Sequence, residues 1–304
     1  MSSKIVINQV LTLFFILIIG FIARKKAVLT TSLAKGLTDL LLNVTAPLMI
    51  ITSFQFEYSS EMLASAGKIL AFSLFVHTFS LLIGMLIYNQ YPENMRKVLL
   101  FTTIFSNCGF MGFPLLQSIY GKIGVFYGSI FVVGFNVFLW TIGVMIFTGN
   151  RDRATLKKLF LNPSLIAVLL GMTTFILSLK IPGPVYTALE VIGEMTTPLS
   201  MMIIGSILAE IKLKEIFPGF AVYYGTLMRL VIIPWLSLLA TNLLRFTPML
   251  RGICVLSTAT PAATMTAIFA QKYNGDSSFA SRIIIISTAL SIITLPLFIL
   301  LVNR

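Results

Sequence analysis

The 304-residue chain has little charge. Only 11% of its residues are Asp, Glu, Lys or Arg, against about a quarter in a typical soluble domain. Acid is scarcest, with 10 Asp and Glu against 22 Lys and Arg. The one histidine is His77, and the two cysteines are Cys108 and Cys254. One histidine cannot build a His-based metal site, and two cysteines without CxxC spacing form neither a zinc site nor a secreted disulfide framework. No metal and no cofactor is expected. The sequence also lacks GxSxG, HExxH and a paired-aspartate protease motif, so it does not read as an intramembrane enzyme. It has no long polar stretch to form a soluble domain.

What fills the chain is apolar: 57% hydrophobic residues and a mean hydropathy of +0.97. The apolar residues fall in runs near the length of a bilayer-spanning helix. Ten spans are predicted, at about 5–23, 36–54, 67–88, 98–120, 124–148, 163–180, 186–209, 217–242, 250–271 and 279–301. The first is preceded only by Lys4 and followed by Arg24-Lys25-Lys26 without a small-residue cleavage site, so it reads as a membrane helix and not a signal peptide. A net charge of +12 would suggest nucleic acid in a soluble protein, but here the basic residues sit in short loops and report topology. Loops after odd-numbered spans carry Arg24, Lys25, Lys26, Lys35, Arg96, Lys97, Arg151, Arg153, Lys157, Lys158, Lys212, Lys214 and Lys272. The other side carries Lys4, Lys68, Lys122, Lys180, Arg245, Arg251 and Arg304. The bias predicts a multi-pass protein of the inner (plasma) membrane with both termini outside the cytoplasm. The 25 phenylalanines are read as packing, mostly against lipid, and both cysteines as small packing residues.

Two spans are interrupted. The fourth contains Ser106-Asn107-Cys108-Gly109-Phe110-Met111-Gly112-Phe113-Pro114, and the ninth contains Ala259-Thr260-Pro261-Ala262-Ala263. Gly112, Pro114 and Pro261 are the expected helix breakers. A broken helix survives at membrane depth only inside protein or beside a water-filled cavity, and paired breaks mark the binding site of secondary transporters. The chain also repeats. Asp39, Asn43, Thr45, Pro47 and Leu48 recur as Glu190, Glu194, Thr196, Pro198 and Leu199, each 151 residues later. With five spans in each half, the copies enter the membrane in opposite directions. The expected fold is therefore an all-α polytopic membrane protein. Its ten transmembrane helices form two inverted five-helix repeats, 1–150 and 151–304, with broken helices 4 and 9 crossing near the midplane. Half-helix N-termini at such a crossing favour an anion, and the opposing C-termini suit a cation.

Asn107 can donate to a carboxylate or cap the second half-helix. Thr260, 153 residues later, is its counterpart, and Cys108, Gly109, Pro261 and Ala262 complete the expected substrate site, with Asn43 added from the second span. Thr264 and Thr266 can as easily bond their own helix. Glu194, Asp39, Glu190 and His77 are candidates for proton or cation coupling, although Asp39 and Glu190 also fit solvated span ends and His77 fits a satisfied interior residue. Arg229, mid-span in the eighth segment, either attracts an anion or pairs with a glutamate, the second being favoured.

These residues resemble the auxin efflux carrier family, which includes the plant PIN auxin exporters and bacterial malate and malonate permeases. The resemblance rests on Asn43-x-Thr45-x-Pro47-Leu48, Asn107 with Met111-Gly112-x-Pro114-Leu115, and Asn162-Pro163. It rests further on Arg229 with Pro234, Pro261, Phe269-Ala270-x-Lys272-Tyr273-Asn274, and Ser291 with Leu295-Pro296-Leu297. It implies a fold like that of sodium/bile-acid transporters and NhaA-type antiporters. Helices 1, 2, 6 and 7 would form a scaffold, and helices 3–5 and 8–10 a moving transport domain. The plant exporters have proline before the asparagine that matches Asn107, where this chain has Ser106. Their large cytoplasmic loop is absent, which favours a prokaryotic permease. The expected function is secondary active transport of a small organic anion (malate, malonate or an auxin-like acid) by alternating access, coupled to H+ or Na+ or to neither. The alternatives are a sodium-coupled symporter of bile-acid-transporter type and a passive anion channel. The expected partners are the anion and the lipid bilayer, with a homodimer through the scaffold helices and no nucleic acid.

Overall fold

The computed structural model describes residues 3–149, 159–209, 219–273 and 275–302. The basic residues Arg151, Arg153, Lys157, Lys158, Lys212, Lys214 and Arg304, and Asn274, lie outside them. Eleven helices account for most of the rest: α1 Ser3–Lys25, α2 Thr31–Ser53, α3 Ser60–Ile87, α4 Glu93–Ile104, α5 Gly112–Thr148, α6 Pro163–Ile176, α7 Gly183–Leu208, α8 Phe220–Leu243, α9 Pro248–Ala259, α10 Met265–Lys272 and α11 Ser277–Val302. Among the described residues there is no strand, only one isolated bridge. Six helices, α2, α3, α5, α7, α8 and α11, are long and apolar enough to cross a membrane. The 14 residues of α6 and the 12 of α9 rise only about 20 Å, short of a hydrocarbon core of about 30 Å.

Local chemistry sets the element ends. Asn162 caps α6 by accepting from the Leu165 N–H at 3.1 Å, with Pro163 in the first turn, where its missing donor costs nothing. Thr30 and Thr247 cap α2 and α9 in the same way. Two helices widen into a π turn two residues before a proline: Leu41–Thr45 ahead of Pro47, and Met228–Ile232 ahead of Pro234. The proline ring clashes with the carbonyl four residues back, and the wider turn relieves it.

The 37 residues of α5 form a hairpin rather than one rod. Gly121 has φ 64° and ψ −149°. The Cα of Gly128 packs so close to Leu116 that an added Cβ would stand 2.5 Å from its Cδ1. Twelve residues of straight helix would separate them by about 18 Å. The chain therefore doubles back at Gly121, and 112–120 lies against the start of 122–148.

The chain divides into two compact units. The first comprises 1–69, 109–133 and 160–210, and so contains α1, α2, α6, α7 and the hairpin at Gly121. Its helices approach at glycines. A Cβ on Gly205 of α7 would lie 2.0 Å from the Leu17 carbonyl oxygen of α1, and one on Gly20 of α1 would lie 2.3 Å from that of Met202. Small residues at such contacts let backbones touch, which is how helices gain packing in lipid. Phe126 fills the middle, 4.6 Å from the ring of Phe54 and 5.3 Å from that of Phe175.

The second unit comprises 70–108, 134–159 and 211–304, and holds α4 and α8–α11. Its centre is also aromatic, with Phe101 4.4 Å from Phe105, 5.1 Å from Phe269 and 5.5 Å from Phe147. Phe54, Phe101, Phe105, Phe126, Phe131 and Phe175 are all fully buried. This corrects the lipid-facing assignment for these rings: clustered aromatics build the two cores.

Candidate functional site

In the second unit, α4 ends at Ile104 and α9 ends at Ala259, and both chains continue extended: Phe105 has φ −104° and ψ 110°, Thr260 φ −63° and ψ 152°. The two extended segments pair. Ser106 and Ala262 form an antiparallel bridge. The Asn107 N–H donates to the Pro261 carbonyl at 2.8 Å, and the Ala263 N–H donates to the Phe105 carbonyl at 3.1 Å. The Ala262 N–H donates to Ser287 Oγ of α11 at 3.2 Å, while that hydroxyl donates to the Ile284 carbonyl. Buried backbone groups released by the breaks thus find partners within the protein, as a low-dielectric setting demands. Replacing Ser287 with Ala leaves the Ala262 N–H buried and unpaired. The expected loss is about 1–2 kcal/mol of stability, read as a lower thermal midpoint of the purified protein in detergent.

The carbonyls freed at the helix ends are served by side chains. The Ser257 carbonyl accepts from Ser106 Oγ at 2.9 Å and from Thr260 Oγ1 at 3.0 Å. Arg229, projected from the π turn of α8 and 1% exposed, donates from Nη1 to the Thr103 carbonyl of α4 at 2.9 Å and from Nη2 to the Thr258 carbonyl of α9. Neither reading from the sequence anticipated this. Among the described residues Arg229 meets no carboxylate; its partners are main-chain oxygens in the last turns of the two broken helices, where partial negative charge collects.

The structure gathers Asn107, Cys108, Thr260, Pro261 and Ala262 at this pairing. Asn107 is buried, yet its side-chain amide has no hydrogen-bond partner among the described residues. Thr260 has spent its proton on the Ser257 carbonyl and retains only acceptor capacity. Pro261 lies within its break and supplies the carbonyl that Asn107 bonds. Gly112 and Pro114 fall elsewhere than expected: they occupy the first turn of α5, and the interruption runs from 105 to 111. Proline in a first turn starts a helix without penalty. Gly109 follows directly, in the segment assigned to the first unit, and an added Cβ there would meet nothing within 4 Å.

His77 is buried among Phe105, Phe135 and Phe138, with Nδ1 2.6 Å from the Ser73 carbonyl oxygen. That contact makes Nδ1 the protonated nitrogen and fits a satisfied interior histidine.

The remaining candidates lie in the first unit. Asn43 is exposed and its amide donates to the Asp39 carbonyl one turn back, at 2.8 Å. Asp39 and Glu194 are exposed and form no ion pair among the described residues. Glu190 pairs with Lys122 and accepts from the Tyr186 hydroxyl at 3.2 Å, and the Lys122 ammonium sits 5.0 Å over the Tyr186 ring. Among the described residues, no group of three His, Cys, Asp or Glu is placed to hold a metal.

Sequence reasoning missed Ser287, which carries no local signal. It named Ser106 only as part of the interrupted stretch and missed its bond to the Ser257 carbonyl, which no sequence pattern marks.

Comparison with known proteins places the chain among membrane transporters. A family model described as membrane transport protein matches residues 5–156 and 150–299. An uncharacterized transporter of Methanocaldococcus jannaschii is 23% identical over 307 residues, covering 96% of this chain and 97% of the relative. One of Methanothermobacter thermautotrophicus is 25% identical over 297 residues, covering 96% of each. With the family model matched across almost its whole length, the chain is a multi-pass membrane transporter that belongs to the auxin efflux carrier family.

Proposed function

We propose that the protein is a secondary active transporter that moves a small organic anion by alternating access around the paired breaks. The observation that carries this reading is Asn107: a residue only 6% exposed whose amide bonds no group among the described residues, beside two antiparallel extended segments whose backbone bonds each other. An acid is a natural occupant, because the amide donates to carboxylate and the half-helix that follows, α10, points its positive end back toward the break.

The ten-span inverted repeat is part of the same proposal. One hydrogen bond supports it, joining residues that the repeat matches: Thr196 Oγ1 to Thr45 Oγ1 at 3.0 Å in the first unit. Residues related by a twofold axis meet in this way only beside that axis. In this reading α1, α2, α6 and α7 serve as scaffold, the breaks travel with the moving part, and both termini face away from the cytoplasm. Glu194 and Asp39 would act in coupling or in association of two copies, being exposed and without an ion pair among the described residues.

The test is binding of labelled mono- and dicarboxylates to the purified protein and to Asn107→Ala, at two pH values, with and without sodium. One acid should bind saturably, and the variant should bind it about ten- to a hundredfold more weakly, the worth of a hydrogen bond to a charged group. Equal binding by both proteins would remove Asn107 from the site.

A further inference from the structure

The last turns of α4 and α9 form a cation site, and a cation already fills it. Two helix C-termini each present unpaired carbonyls and partial negative charge of about half an elementary unit. Brought to one place in a buried setting, they call for positive charge. In this protein the charge is covalently attached. The Arg229 guanidinium reaches the Thr103 carbonyl with one terminal nitrogen and the Thr258 carbonyl with the other. Among the described residues nothing acidic takes part, and Nε is without a partner. The hydrogen bonds that hold the Arg229 guanidinium among those residues come from the two helix ends. Lysine would not substitute for it: an ammonium is a point charge, whereas the planar fork spans two acceptors at once.

We infer that Arg229 is a built-in counter-cation that clamps the two broken helices together, so that no inorganic cation is needed between their C-termini. The clamp itself stands independently of the transport reading. Its consequence for coupling rests on that reading: sodium has no role at the paired breaks, and any ion coupling proceeds elsewhere.

Thermal unfolding of the purified chain without substrate tests the clamp, and so separates its failure from failure of the proposed function. Wild type should melt at the same temperature in sodium and in choline chloride. Arg229→Ala should melt several degrees lower, and about 10 mM methylguanidinium should restore at least half of that loss by binding only the folded state. Wild type should show no gain at that concentration, which controls for general guanidinium effects. Arg229→Lys, the variant most certain to fold, should fall between the two and gain less from methylguanidinium. A sodium-dependent rise in the wild-type midpoint that persists when the proposed coupling carboxylates are removed, in Asp39→Asn with Glu194→Gln, would overturn the inference. So would an Arg229→Ala or Arg229→Lys protein that melts like wild type, or an Arg229→Ala protein that melts low and ignores methylguanidinium, since the arginine would then be packing alone.

Discussion

Gly205→Leu should yield almost no monodisperse protein. At this position α7 touches the backbone of α1: an added Cβ would lie 2.0 Å from the Leu17 carbonyl oxygen and 2.8 Å from the Phe21 nitrogen. No rotamer relieves a clash with backbone. The helices must separate, and the reciprocal contact of Gly20 with Met202 would open with them. Overpacking of this kind costs about 3 kcal/mol, and in lipid no hydrophobic force draws the helices back together. Size-exclusion profile and thermal midpoint in detergent are the readouts. Gly205→Ala should show the same direction at smaller size. A Gly205→Leu protein that elutes and melts like wild type would mean that α1 and α7 do not meet here.

Gly121→Val should be the second large loss, for a different reason. Space is not limiting, since an added Cβ would meet nothing within 4 Å. The cost lies in the backbone. A φ of 64° with ψ of −149° lies outside the left-handed helical well and near a region open to glycine alone, so a β-branched residue should pay about 2–3 kcal/mol. Asparagine, which tolerates left-handed helix, should rescue little because ψ is wrong for it. The hairpin at Gly121 would loosen, and limited proteolysis should cut between 116 and 128 in the variant before wild type is touched. Matching digestion patterns for the two proteins would show that the chain turns without needing glycine.

Those two positions show what could and could not be read from sequence. Apolar runs announced membrane helices, and Asn162-Pro163 announced a capped start, because length, capping and proline chemistry are local. The break in the ninth span was readable from Pro261. The break in the fourth was placed too late, because Pro114 breaks a helix in its interior and begins one in its first turn, and the residue alone does not say which. Close approach is not local at all. Gly205 sits in an ordinary small-residue sequence, and only the position of Leu17 makes it irreplaceable. Arg229 was visible as a charge inside a span, but its partners are carbonyl oxygens, which every residue carries and no sequence pattern marks. The carboxylates misled in the opposite way. Glu194 stood out as a carboxylate in an otherwise apolar stretch, and the structure leaves it exposed.

The joint between the two breaks is made mostly of main chain. Asn107 and Ala263 contribute their N–H groups, and Phe105 and Pro261 their carbonyls. These two main-chain bonds do not record the identity of the side chain at 107. Natural variation can exchange the side chain displayed at 107 without breaking these two bonds, so in the proposed transport reading lineages that share this joint are free to change cargo faster than they change shape.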